Sequence, residues 1–373
     1  MNYMSNYSSA TIGAGANQTL FYPKNGEVRT GIAFFRIAVS GRYNYSLLFS
    51  DIIDSTFAAG DLSVANMKCG GYKIHSLKVS RCSKAPVGLE EIKNYSPELA
   101  ELKDTVKLSF GSQGEASIDE GETVYSDPVS LCFEKGDYMV IEMTYSGKRV
   151  PCHAESMLPI YNKTENGWEY SPEMPLPLMI GCDRPTKARI GYLGDSITQG
   201  IGAGYNTYEH WCARLSDMIG WEYSHYNLGI GYSRAADAAS DGVWLRRAKE
   251  MDIVFLCLGT NDVAHDSGGA QSIAKSLKTV ICKLKAANCR IILQTAPPFD
   301  REGERRARWF LLNDIIKKEL SGLVDLTFDN IPVLCLSEEF PEKAKYGGHP
   351  NSEGCKLWAE ALYDYTKEFF KNI

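Results

Sequence analysis

Beyond Pro185 the chain alternates short apolar runs with longer amphipathic stretches, and this restricts its second half to one kind of architecture. Parallel strands cannot be joined by a tight turn. They need a crossover of about a dozen residues, which an amphipathic helix supplies. Strands are expected over 188–193, 222–227, 252–258, 290–295 and 331–336, and helices over 207–219, 234–249, 271–287, 304–320 and 352–370. The sum is a parallel, three-layer α/β domain.

The first half follows a different period. From about residue 32 to 145 apolar and polar side chains mostly alternate, as in Tyr43-Asn44-Tyr45-Ser46-Leu47 and Val106-Lys107-Leu108-Ser109-Phe110. Turn signals at Ser40-Gly41, Gly70-Gly71, Gly111-Ser112 and Lys135-Gly136-Asp137 cut the pattern into short strands, which predicts an antiparallel β-sandwich. Residues 88–104, carrying Glu90, Glu91, Glu98 and Glu101, break the rhythm and read as an excursion with a helical turn. At 373 residues the chain is long for one domain. The change of period puts a β-sandwich accessory domain at 1–183 and an α/β domain at 184–373, joined through the Pro-containing stretch 172–185.

Charge and cysteine usage narrow the partners. A net charge of -6 gives no basic field for nucleic acid, and the densest cationic cluster is Arg305-Arg306-Ala307-Arg308. No run of about 18 apolar residues marks a membrane span, and residues 1–21 lack the basic and apolar segments of a leader. Eleven cysteines, an odd number without a CxxC pair, fit reduced thiols better than disulfides or zinc. The expectation is a cytoplasmic protein with no membrane or nucleic-acid partner; its oligomeric state is open.

In an open parallel sheet, ligands collect beyond the carboxyl ends of the strands. Four such places are polar: Gly194-Asp195-Ser196-Ile197-Thr198, Asn227-Leu228-Gly229-Ile230-Gly231, Gly259-Thr260-Asn261-Asp262, and Gly347-Gly348-His349-Pro350-Asn351 ahead of the last helix. In order and interval they resemble the four sequence blocks of the SGNH (GDSL-type) hydrolase family, over residues 187 to 373. The resemblance implies a flavodoxin-like sheet and a serine esterase without metal or organic cofactor. Ser196 is then the nucleophile and His349 its base. The oxyanion is held by the Ser196 and Gly231 backbone N–H groups and the Asn261 side chain. A serine hydroxyl becomes nucleophilic only when a base takes its proton, so the two catalytic assignments depend on each other.

Two departures from the family pattern bear on mechanism. The triad acid ordinarily stands three residues before the histidine, and Tyr346 occupies that place. Either a dyad operates, with a backbone carbonyl orienting His349, or a carboxylate such as Glu342 serves instead. In the second block the family often has Gly at the sixth position counted from the Asn, where this chain has Tyr232; Gly231 is one residue earlier.

Some acetyl-esterases of the carbohydrate esterase type work as such dyads and carry an N-terminal jelly-roll ahead of the SGNH domain. The run from Val124 through Gly136-Asp137-Tyr138 to Cys152-His153 resembles such a β-sandwich. The resemblance thus implies short acyl esters, acetyl above all, on carbohydrates. A thioesterase, a lipid acylhydrolase or an acyltransferase would use the same acyl-serine, and an inactive glycan-binding protein is the alternative of another class.

Simpler roles exist for most of these residues. Ser196 is a favoured helix cap, Asn261 a turn former, and Asn351 or Ser352 a cap for the last helix. Asp195 and Asp262 read as structural carboxylates. His265 and Asp266 are candidate substrate contacts, while His75, His210 and His225 read as packing or surface residues. The run Gly200-Ile201-Gly202-Ala203-Gly204 has its third glycine misplaced for a dinucleotide fingerprint, and reads as the mobile lip of a cleft.

Overall fold

The computed structural model describes residues 3–13, 16–54, 57–58, 61–62, 67–265 and 268–371. The chain divides into two compact units: Met1–Thr186 with Tyr205–Thr207, and Lys187–Gly204 with Tyr208–Ile373.

The first unit is built, among the described residues, on two larger antiparallel sheets. One pairs Ser8–Ser9, Met179–Cys182, Gly41–Ser50 and Thr123–Tyr125 in that order, with Val129–Phe133 also on Gly41–Ser50. The other runs Gly167–Tyr170, Ile160–Thr164, Arg29–Arg36, Tyr138–Ser146, Tyr72–Cys82, Lys103–Lys107. Period-two alternation buries one face of such strands: Ile74, Leu77 and Val79 are fully buried, while Lys73 and Lys78 reach out to Glu115 and Glu142. Of residues 88–104, those before Lys103 leave the sheets, forming a helix at Leu89–Asn94 and a short turn at Pro97–Leu99, while Lys103 and Asp104 already belong to the last strand of the second sheet. A cavity of about 680 Å³ lies beside this excursion, with Arg36, Glu91, Tyr95 and Tyr138 in its wall.

The second unit holds five parallel strands: β1 (Arg189–Gly194), β2 (Ser224–Gly229), β3 (Ile253–Cys257), β4 (Arg290–Gln294) and β5 (Leu326–Phe328). Their spatial order is β2-β1-β3-β4-β5, the doubly wound, flavodoxin-like order. The chain moves from β1 outward to β2 and then back past β1 to β3. That reversal opens a crevice at the carboxyl ends of β1 and β3, where Ser196 and Asn261 follow. The central strand β3 is apolar throughout because both its faces are covered, and β2, although it carries Ser224, His225 and Asn227, is likewise buried at every residue.

Helices α1 (Ser196–Gln199), α2 (Trp211–Ile219), α3 (Ala235–Ala239), α4 (Val243–Ala248), α5 (Thr260–Ala264), α6 (Gly269–Ala286), α7 (Gly303–Ile315), α8 (Ile331–Leu334) and α9 (Ser352–Phe370) complete the unit. The α2 helix packs on α9, where Trp211 and Trp358 stack at 4.8 Å, and α6 packs on α3 and α7. The reversal of strand order sends these two groups to opposite faces of the sheet. Among the described residues no helix is long and apolar enough to cross a membrane, and all eleven cysteines are free thiols.

Some expected elements differ. The fifth strand lies at Leu326–Phe328, not at 331–336, which instead opens with α8. Pro332 cannot donate to a sheet ladder but fits the first turn of a helix. The helix expected over 234–249 is two pieces, α3 and α4. Between them Asp241 takes a left-handed φ of 65°, anchored to Lys249 and Lys283, which ends one helix and re-aims the next. The helix expected from 207 starts at Trp211, and α7 passes into a π-helical turn at Ile316–Leu320.

Candidate active site

The β1 strand ends at Gly194, and the chain turns at once into α1. Asp195 caps that helix, its Oδ1 accepting the Ile197 N–H at 3.0 Å. The turn demands glycines. A Cβ on Gly194 would lie 2.0 Å from the Thr198 hydroxyl and 2.8 Å from the Cys257 carbonyl, and one on Gly229 would lie 2.2 Å from the Gln199 nitrogen. The ends of β2 and β3 can therefore close on α1, holding the base of Ser196 rigid.

The fourth block arrives from the far end of the chain. Asn351 caps α9 through Gly354 N–H at 3.0 Å and fixes the entry of the preceding loop. In that loop His349 turns its Nε2 to the Ser196 Oγ at 2.8 Å. Gly202 shares responsibility for this placement: its φ is 100°, and a Cβ there would sit 2.6 Å from the His349 carbonyl oxygen and 2.8 Å from that of Pro350. The glycine run after α1, read from the sequence as a mobile lip, thus packs against the backbone of the histidine loop.

The remaining predicted donors are distributed unevenly. Asn261, in the first turn of α5, donates its Nδ2 to the Ser233 carbonyl at 3.0 Å, which orients the amide and leaves it a second N–H. The Gly231 N–H donates to Gln199 Oε1 at 2.6 Å. Tyr232, at the sixth position from Asn227, takes a left-handed φ of 65°, a conformation that ordinarily favours glycine.

Among the described residues, neither Glu342 nor Tyr346 is hydrogen-bonded to the imidazole. Glu342 is buried and pairs with Arg306 Nε at 2.7 Å. Tyr346 lays its side chain against α9, where a Cβ on Gly354 would come within 2.6 Å of the Tyr346 Cβ. Among the described residues, Ser196 is the hydrogen-bond partner recorded for the His349 ring.

Two buried carboxylates sit beneath the site. Burial, opposed by the Ile197 amide and reinforced by Asp262, pushes the Asp195 carboxyl up to about 7. Burial likewise pushes Asp262 up to about 6, and its two oxygens accept the Ala235 N–H at 3.1 and 2.9 Å, tying the third block to the start of α3. His349 moves the other way. Burial and then the Arg301 charge hold it below the usual imidazole value, so it is a neutral base at pH 7.

Sequence reading overlooked the loop after β4, although it ends at the same sheet edge as the other blocks. Trp309 donates to the Ala296 and Pro297 carbonyls, and Asn313 brackets Ala296 from both sides, so the loop is firmly held. It presents Phe299, whose ring meets the His349 ring edge-on at 5.3 Å, and Arg301, whose guanidinium lies 4.3 Å over the Phe299 ring. His265 caps the end of α5, and its basicity is lowered by burial and by Arg234, Arg305 and Arg301. Asp266 lies outside the described residues.

No curated protein matches the chain. Several solved structures are similar to it. One is the aryl esterase of M. smegmatis, with 16% identity and a TM-score of 0.40 over 48% of this chain and 98% of that one. Another is a lipolytic protein of the G-D-S-L family from Veillonella parvula, with 18% identity and a TM-score of 0.39 over 48% and 98%. A third is a variant of an acetyl-xylooligosaccharide esterase from Geobacillus stearmophilus, with 18% identity and a TM-score of 0.37 over 48% and 94%. Residues 192–357 match the GDSL-like Lipase/Acylhydrolase family, so the segment that carries Ser196, Asn261 and His349 is homologous to hydrolases of that type.

Proposed function

We propose that this protein is a serine esterase that cleaves short acyl esters, acetyl foremost, on carbohydrates. The observation that carries the proposal is the 2.8 Å approach of Ser196 Oγ to His349 Nε2, at the crevice between β1 and β3. His349 Nε2 takes the hydroxyl proton as Oγ attacks the ester carbonyl, then returns it to the leaving alcohol, and the acyl-serine is hydrolysed by water activated in the same way. The Ser196 N–H and the second N–H of Asn261 receive the developing oxyanion, each donor lowering the barrier by about 3 kcal/mol. Gly231 joins them only by exchanging its bond to Gln199.

With Glu342 committed to Arg306, the reading is a Ser196–His349 dyad, in which Asp195 and Asp262 support the turn without touching the imidazole. The carbohydrate and acetyl assignments, and the jelly-roll form of the first unit, rest on architectural resemblance. A reducing, cytoplasmic setting fits the eleven free thiols. The test is p-nitrophenyl acetate hydrolysis by the wild type and Ser196→Ala. The variant should lose at least about a thousandfold in kcat, and equal slow release by both proteins would overturn the proposal.

A further inference from the structure

We infer that Arg301 recognises an anion, and that the natural ester carries a carboxylate close to the bond that is cut. The inference rests on the esterase reading and adds the substrate's charge to it. Arg301 is only 9% exposed, yet no carboxylate pairs with it among the described residues. Its Nη2 donates to the Thr260 carbonyl at 3.0 Å, its face lies over Phe299, and its Nε is buried without a partner.

A guanidinium does not shed its proton, so burying it with one carbonyl and one ring leaves desolvation uncompensated. Nearby acids offset only part of this: Asp195, turned to the Ile197 amide, and Asp300, which accepts the Ala344 N–H at 3.0 Å, favour the charged guanidinium without bonding to it, while burial and the Arg305 charge outweigh them. The position is also telling, because Arg301 acts electrostatically on both Asp195 and His349 and is hydrogen-bonded to the residue before Asn261.

A cation there opposes the imidazolium that must form when His349 accepts the Ser196 proton. A substrate carboxylate bound to the guanidinium neutralises that opposition, so an anionic substrate gains in kcat as well as in binding. On a carbohydrate the group would be the carboxylate of an acidic sugar.

The test uses p-nitrophenyl acetate as the reporter and two competitors of equal size, galacturonate and galactose. In the wild type, galacturonate should inhibit competitively while galactose at the same concentration does not. Arg301→Gln should raise the galacturonate inhibition constant by about tenfold or more, the range for a lost charge-assisted hydrogen bond, and Arg301→Lys should raise it by less. A purely structural role would lower the melting temperature and kcat but leave the relative inhibition untouched. Equal inhibition by the two sugars, no inhibition by galacturonate, or an unchanged constant in Arg301→Gln overturns the inference. If Arg301→Gln does not fold, an unchanged constant in Arg301→Lys does the same. Ester release that persists in Ser196→Ala would instead overturn the esterase reading.

Discussion

Substituting Gly202 by alanine should separate the placement of His349 from the stability of the fold. The new Cβ would stand 2.6 Å from the His349 carbonyl oxygen, where ordinary contact begins at 3.4 Å, so the histidine loop must retreat by roughly 0.8 Å. A displacement of that size in a reacting pair costs up to about a hundredfold in rate, and a left-handed alanine costs about 1–3 kcal/mol in stability. Gly136 provides the control. Its φ of 98° nearly equals the 100° of Gly202, but a Cβ there meets nothing within 4 Å. Both alanine variants should therefore melt lower, by roughly 2–10 °C. Only Gly202→Ala should lose about 10- to 100-fold in kcat on p-nitrophenyl acetate, with little change in KM. If Gly202→Ala keeps kcat within about twofold of wild type, or Gly136→Ala loses as much, the glycine run does not position the base.

Two further outcomes follow from the same geometry. Because burial and Arg301 lower the His349 pKa, the neutral base persists below the ordinary 6.5, so kcat/KM should be flat above that value and fall only as pH drops through the lowered pKa; an acid limb centred above 6.5 refutes this. Glu342→Gln breaks a pair in which Glu342 is buried but Arg306 is half exposed, so it should cost roughly 1–3 kcal/mol in urea unfolding and leave kcat within about twofold. A loss of orders of magnitude in kcat with unchanged stability would place Glu342 behind the imidazole.

The sequence carries the parts of the fold that depend on period. The switch from alternation to βα units, and four of the five parallel strands, are visible as apolar runs within a residue or two of their ends. The fifth strand is three residues long and only partly buried, too short to show a period, so the apolar Ile331-Pro332-Val333-Leu334 beside it draws attention instead. The site divides along similar lines. Ser196, Asn261 and His349 stand out because each follows a strand or precedes a helix in a short polar block. Partnerships between distant segments leave no such trace: nothing local says that Gln199 occupies the Gly231 amide, that Arg306 claims Glu342, or that Gly202 presses on His349. Phe299 and Arg301 carry the one signal that was available, their place after a strand at the reactive edge.

Tyr346 and Gly354 together constrain how this site can change. With the tyrosine resting on the first turn of α9, any side chain at 354 collides with it, and with glycine at 354, an aspartate at 346 leaves the helix uncovered at that spot. An aspartate at 346 would carry the same Cβ, so glycine must stay at 354 with either residue, and an acid three residues before His349 is one substitution away, at the loss of the ring's cover on α9. Gly354 thus leaves room for a third catalytic member, while the tyrosine ring trades that option for a covered first turn of the last helix.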